Sequence, residues 1–410
     1  MKIIFFSLII VLISFLGISF VESQIVPACP EPFLYRPTND SVGDYDFGYQ
    51  YINISQIKLP PPLSFLYNCL MPCQSLFFEK NSWDSFNKLV EQMGSVSFTC
   101  SVIIMIIYGP LMNRSFFKLD RHTMTVFCFA FSTFFIGVSD LMFASEGVDM
   151  VCPESHRYAR QTDKTCATNG VLYQFGWLGS VMWFAFLSID GFFRASGKKM
   201  NKMVFGIILG TIWAINIALS FGPMGGDQYG AYFVGQVNCW ILVKNWQYGF
   251  FWAEVIISLA IGFVGICLTI FTLIRKTSDG NTFKNISPLI LVFLLFCQYL
   301  YMIIFYGIIN EKKDHYSNIL AEQIGCIFTN ALFAMKIPGV KSAGECVFNE
   351  TITFSSQYAF LFFIRLLGIE IFSFYIMSKE ALLLIKSSYI ATMLGLGDKD
   401  AYDVELEETD

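Results

Sequence analysis

Five ionisable side chains fall inside otherwise apolar stretches of this 410-residue sequence: Asp140, Asp190, Glu254, Arg365 and Glu370. A charge in a lipid-like setting costs about 2.5–3.5 kcal/mol on insertion scales, so each position points to a function or to a buried partner. The chemistry open to such groups is a proton or ion pathway, or a polar contact that differs between two helix arrangements. Asp140 and Glu254 lie toward one end of their stretches and Asp190 toward the other, which predicts hydration or snorkelling at the boundary. Arg365 and Glu370 lie deeper. Five residues separate them, about 140° around a helix, so they face different neighbours. The three histidines (His122, His156, His315) are far apart in sequence and build no metal or general-base cluster. Cys69-x3-Cys73 has no histidine near it to complete a metal site. No nucleotide loop, zinc-binding helix motif or nucleophile elbow occurs, so the sequence gives no support to catalysis, to a cofactor or to a metal.

The elements that must position these groups are membrane spans. Hydrophobic residues make up 55% of the chain and charged ones 14%, against roughly 25% charged in soluble domains. That balance excludes a basic nucleic-acid binder and most soluble enzymes. Residues 1–23 read as a signal peptide, with Lys2, an apolar run and a Val21-Glu22-Ser23 boundary. Residues 24–90 form an extracellular N-terminal segment, and 91–378 a seven-transmembrane domain. A bilayer core of ~30 Å takes ~20 apolar residues in a helix, which places spans at about 92–113, 122–144, 167–190, 203–222, 249–274, 286–309 and 356–378. Gln323–Met335 is apolar but short for a span, and reads as part of a long outer loop. The fold class is an all-α membrane protein, a seven-transmembrane helix bundle with a short disulfide-linked extracellular N-terminal linker. No half-to-half repeat is evident, which weighs against the inverted-repeat transporters.

Lysine and arginine set the orientation. With the N-terminus outside, loops 113–122, 194–202 and 275–285 face the cytosol and hold ten basic residues in 30 positions. The outer loops 145–166, 223–249 and 310–355 hold eight in 95. The sequons at Asn39, Asn53 and Asn349 fall outside, as candidate glycosylation sites. Cys100, Cys128, Cys267 and Cys297 lie in spans as small apolar residues. The other eight cysteines, Cys29, Cys69, Cys73, Cys152, Cys166, Cys239, Cys326 and Cys346, sit outside or at outer helix ends. An even number on the oxidising side predicts a disulfide framework, with 105 connectivities open. Residues 379–410 are cytoplasmic: an amphipathic segment over Lys379–Leu394 that suits the inner leaflet, then an acidic tail that reads as solvated.

Over roughly residues 65–386 the chain resembles the Frizzled/Smoothened class of seven-helix receptors. The most specific stretch is Lys164-Thr-Cys166-Ala-Thr-Asn-Gly170 followed by Gly179-Ser-Val-Met-Trp-Phe-Ala-Phe-Leu-Ser188. It is similar to that family's cysteine atop helix three and the Trp-bearing helix below it. Val237-Asn-Cys239-Trp240 resembles the second-outer-loop cysteine, Asn68-Cys-Leu-Met-Pro-Cys73 the linker pair, and Val151-Cys152-Pro-Glu154 the first-outer-loop cysteine. Leu273-Ile-Arg275 and Ser378-Lys379 also fit. The resemblance implies the pairs Cys166–Cys239, Cys73–Cys152, Cys326–Cys346 and Cys29–Cys69. The family's cysteine-rich domain has no counterpart, because residues 24–90 hold three cysteines, so a lipidated Wnt-type ligand is not supported. A Dishevelled-type partner is not supported either: the inner motif reads Lys379-Glu380-Ala381-Leu382-Leu383-Leu384 and lacks its Thr and Trp. The basic residue expected at the inner end of helix six reads Leu289. The chain is similar to the members of this class that lack the cysteine-rich domain.

The resemblance implies a transmembrane signalling receptor of the G-protein-coupled type, in the plasma membrane, N-terminus outside and C-terminus cytoplasmic. An unknown outer or intramembrane ligand would shift the helices, and a heterotrimeric G protein or another cytosolic effector would read the shift at the basic loops. The lipid membrane is the other expected partner, and nucleic acid is not one. Two alternatives stay open: a channel or transporter, suggested by the intramembrane acids, and an adhesion or structural protein without signalling.

Overall fold

The computed structural model describes residues 29, 31–36, 47–51, 69–74, 76–112, 116, 120–231, 237–278, 287–334, 341–346 and 353–388. Seven helical segments in it are long and apolar enough to cross a bilayer, and the chain is an all-α, multi-pass membrane protein. The helices are α1 (Lys80–Tyr108), α2 (Arg121–Glu146), α3 (Lys164–Ser196), α4 (Lys202–Phe221), α5 (Ala253–Ser278), α6 (Ser287–Glu311), α7 (Lys313–Ala334), α8 (Phe354–Tyr375) and α9 (Lys379–Ser387). All except α7 and α9 belong to the spanning set. A short helix, Lys244–Gln247, and a π-helical turn, Tyr248–Trp252, lead into α5.

Lipid tails give apolar helices no hydrophobic reason to associate, so small residues and polar contacts hold a membrane bundle together. α3 is its axis. Of its most apolar window 83% is buried, against 17% for α4, which lies at the edge. Polar side chains tie each neighbour to that axis or to the next helix. Tyr299 of α6 donates to Ser180 Oγ at 3.0 Å, and Asn216 of α4 donates to the Phe175 carbonyl at 3.1 Å. Gln174 of α3 donates to the carbonyls of Leu219 and Phe250 at 2.8 and 3.2 Å. Between α1 and α2 the Ser101 and Thr133 hydroxyls lie 2.9 Å apart.

Close approach of α8 to α1 depends on Gly368. A Cβ there would fall 2.5 Å from Ser97 Oγ and 2.6 Å from the Ser97 carbonyl oxygen. The carbonyl cannot move aside, so Gly368→Val is expected to force the helices apart at about 1–3 kcal/mol. The check is the thermal midpoint of purified protein. Gly307→Val, where a Cβ meets nothing within 4 Å, should leave it in place.

Two features differ from the sequence expectation. α1 starts at Lys80, well before the predicted span start at 92. Its first turns bury Trp83, Phe86, Leu89 and Val90 against Phe143, Met150 and Val151, so outer-loop packing extends the helix. Residues 323–334 lie in α7 rather than in loop. The hydrogen bonds from Lys312 N to the Ile308 carbonyl and from Tyr316 N to the Lys312 carbonyl carry the turn from α6 into α7. Leu320, Ile324 and Phe328, four residues apart, form one stripe that packs on Phe33, Cys69, Met71 and Phe77 of the N-terminal segment. There Leu34–Tyr35 pairs antiparallel with Cys69–Leu70.

Candidate functional site

The ionisable groups sort into separate knots. Near one end of the bundle Asp140 of α2 is 1% exposed and Arg365 of α8 is 0%. Arg365 Nη2 donates to Asp140 Oδ1 at 2.7 Å and to Asn238 Oδ1 at 3.0 Å, and Nη1 donates to the Leu361 carbonyl at 3.0 Å. Asn238 Nδ2 in turn donates to Ser139 Oγ at 2.9 Å. The hydration expected for Asp140 is therefore corrected: the carboxylate is buried, and a cation 225 residues later in the chain compensates it.

Asn238 is held by its neighbours. Cys239 N donates to Asn169 Oδ1 at 3.1 Å, and Asn169 Nδ2 donates to the Ser139 carbonyl at 2.8 Å. Cys239 is joined to Cys166 at the start of α3. The other disulfides are Cys29–Cys69, Cys73–Cys152 and Cys326–Cys346. Cys100, Cys128, Cys267 and Cys297 are free thiols. Asn39, Asn53 and Asn349 lie outside the described residues.

Glu370 and Glu254 stand apart. Glu370 accepts from Gln298 Nε2 of α6 at 2.5 Å, which links α8 to α6. Glu254 is half-buried on α5 and accepts from Ser258 Oγ, one turn on, at 2.9 Å. These hydrogen bonds divide the five intramembrane groups into four sites, with only Asp140 and Arg365 in direct contact.

The end that carries the three basic loops holds the second charged knot. Asp190 is 1% exposed, which corrects the hydration expected there too. It accepts from Arg121 Nε, and His122 Nδ1 lies 3.0 Å from its other oxygen. On the far side of the imidazole, Nε2 lies 3.2 Å from Glu380 Oε2. Glu380 also takes Arg194 Nη2 at 2.5 Å. Burial by itself would raise the Glu380 carboxyl, but His122 and Arg194 outweigh it and hold the group well below the usual carboxylate range. One connected set of charges thus joins α2, α3 and α9. α9 is placed by Ser378, whose hydroxyl caps Ala381 N at 3.0 Å and lies 2.9 Å from the Tyr108 hydroxyl.

Beside this knot opens a cavity of about 290 Å³ lined by His122, Asp190, Arg194, Thr269, Leu289, Val292 and Tyr375. Its walls come from α2, α3, α5, α6 and α8, so any relative movement of those helices changes its shape. Leu289, at the position where the sequence expectation looked for a basic residue, makes part of the apolar wall. Arg121, His122, Arg194 and Glu380 escaped the sequence reading as a group because they lie on three helices. The one available signal was Glu380, an acid placed just after the last span.

Comparison with known proteins returns one group repeatedly. Residues 28–56 match the family model described as Frizzled/Smoothened-like sans CRD N-terminal domain. The chain is 83% identical to Frizzled/smoothened-like sans CRD protein J of Dictyostelium discoideum over 99% of both chains. It is 32% identical to protein E of the same series and organism, over 87% of this chain and 77% of that one. It is 30% identical to Frizzled and smoothened-like protein A of that organism, over 88% of this chain and 58% of the other. Among solved structures it is similar to squid rhodopsin at a TM-score of 0.43 and 14% identity, over 81% of this chain and 92% of that chain.

Proposed function

Because the chain belongs to the Frizzled/smoothened-like sans CRD family, we propose that it is a seven-helix signalling receptor of the plasma membrane. In this reading the disulfide-bearing end faces outward and the basic loops face the cytosol. The observation that carries it is the cavity at the basic end, walled by five helices and flanked by the Asp190–His122–Glu380–Arg194 knot. Such a recess fits the insertion of a segment from a heterotrimeric G protein or another cytosolic effector. The knot ties α9 and α2 to α3 beside its mouth, and so favours the arrangement described. A ligand that binds a second arrangement better draws the population toward it, by as much as its affinities for the two differ. The separation of the intramembrane acids into unconnected sites supports a switch over a continuous ion path.

The test compares Glu380→Gln and Val292→Trp with the unsubstituted receptor at matched surface level, using a G-protein activation sensor. Glu380→Gln removes the charge that holds Arg194 and His122 together, and basal output is expected to rise several-fold. Val292→Trp fills the cavity from α6 and should bring output to background. Identical output from all three, with each protein correctly folded, would overturn the reading. Ion flux that disappears on neutralising Glu370 would replace it with transport.

A further inference from the structure

Two side chains inside the bundle are short of one hydrogen between them. Glu370 of α8 is 9% exposed and Gln298 of α6 is 6%. Gln298 Nε2 donates to Glu370 Oε1 at 2.5 Å. The other oxygen of each group, Glu370 Oε2 and Gln298 Oε1, is buried and has no donor among the described residues. An ionised carboxylate only accepts, so it offers nothing to the amide oxygen. A carboxylic acid donates from one oxygen and accepts at the other, and a primary amide does the same from its nitrogen and oxygen. One proton on Oε2 therefore supplies the missing hydrogen to both orphans.

A charge on Glu370 would have no counterpart either. Oε1 takes Gln298 and Oε2 takes nothing, so neither oxygen meets a cation among the described residues. The titratable groups on the surrounding helices are engaged elsewhere. Tyr299 of α6, the neighbour that such a charge reaches, donates to Ser180 Oγ. Arg365, on α8 itself, is held by Asp140 of α2. His122 of α2 stands between Asp190 and Glu380, and Tyr108 of α1 lies against Ser378. A bridging water would fill the gap in hydrogen bonds but leave a full negative charge uncompensated in a lipid-embedded bundle, which is the costlier deficit. A proton removes both.

We propose that Glu370 binds a proton at neutral pH and stands as a carboxylic acid whose Oε2 hydroxyl donates to Gln298 Oε1, so that a reciprocal acid–amide pair clasps α6 to α8. The step is an equilibrium with solvent protons and needs no other reactant. Loss of the proton leaves both orphan oxygens without a hydrogen and creates a charge that draws in water, so the seam between the two helices loosens. Gln298 is followed by Tyr299, which ties α6 to α3, and the same helix lines the cavity at the basic end through Leu289 and Val292. The clasp is thus a proton-sensitive joint on a helix that shapes that cavity. Its consequence for signalling rests on the receptor reading above; the protonation of Glu370 does not.

Infrared spectra of the purified full chain in lipid nanodiscs test it, because a carboxylic acid and a carboxylate absorb in different regions. The spectrum of Glu370→Gln is subtracted from that of the unsubstituted protein at neutral pH, in sodium and again in N-methylglucamine as the only cation. The expected difference is one carboxylic-acid C=O band that shifts in D2O, is the same in both salts and gives way to carboxylate bands as pH is raised. Glu370→Gln keeps a neutral pair, its own amide donating to Gln298, so its thermal midpoint should match that of the unsubstituted protein at neutral pH. The unfolded chain releases this proton at lower pH than the folded one, so the unsubstituted protein loses stability as pH rises toward the point of release, and Glu370→Gln does not lose it from this cause. Where Glu370→Gln fails to fold, Gln298→Met removes the acceptor of the Glu370 hydroxyl and should move the acid band to higher frequency. Carboxylate bands in the difference spectrum at neutral pH, an acid band that turns to carboxylate when sodium is added, or an acid region unchanged by Gln298→Met would each overturn the proposal. The second of these would make the pair a sodium site instead. No effector enters these measurements, so the receptor reading is judged separately.

Discussion

Arg365→Leu is expected to leave almost no folded protein, and adding Asp140→Leu is expected to restore most of it. The single variant strands the Asp140 carboxylate, 1% exposed, among apolar helices, where Asn238 is the one remaining donor to it among the described residues. Breaking one partner of a buried pair costs about 3–5 kcal/mol, a large share of a protein's total stability. Replacing both partners with apolar groups of similar volume is often neutral or stabilising. The measurement is a double-mutant cycle on thermal midpoint and surface level. Asp140→Leu alone belongs in the cycle because it strands Arg365, which keeps the Leu361 carbonyl and Asn238 as acceptors and should lose less. If the double variant is no better than Arg365→Leu, the pair is not what holds α2 to α8. The pair also holds Asn238 of the outer loop through Arg365 and Asp140, so the rescued double variant should fold with that loop less firmly fixed.

How far the sequence alone reached depends on the range of each interaction. The spans were legible because an apolar window is a local property: any stretch that must sit in lipid reads so by itself. The partners of the buried acids were not. Asp190 meets Arg121 and His122 about 70 residues upstream, and Asp140 meets Arg365 far downstream. With the partner unseen, hydration at a helix end was the cheaper account of a charge. The misreading of residues 323–335 has another cause. Leu320, Ile324 and Phe328 lie at helical spacing, but Glu322 interrupts the apolar run that marks a span. α7 is amphipathic: away from its buried stripe, His315 and Glu322 are exposed. The disulfide pairs required the resemblance, since spacing left every connectivity open. The basic-end cavity needed the structure, because it draws its walls from five helices.

Breaking Cys166–Cys239 should be nearly as damaging as the charge deletion, and through the same residues. The bond closes 73 residues of chain between the top of α3 and the outer loop, and loss of such a link typically costs about 2–5 kcal/mol. Its position adds a specific consequence. Cys239 follows Asn238, so the disulfide steadies the backbone that presents a partner to Arg365. In Cys166→Ala/Cys239→Ala the backbone at position 239 keeps its bond to Asn169, and Asn238 keeps its side-chain bonds to Ser139 and Asp140, but the covalent tether of this loop to α3 is gone. Thermal midpoint and surface level are therefore expected to drop together. The penalties of the cysteine pair and of Arg365→Leu should then combine to less than their sum, because each removes what the other helps to place. Strict additivity would mean that the loop and the α2–α8 pair hold independently, and that the disulfide steadies the loop without shaping the site beneath it.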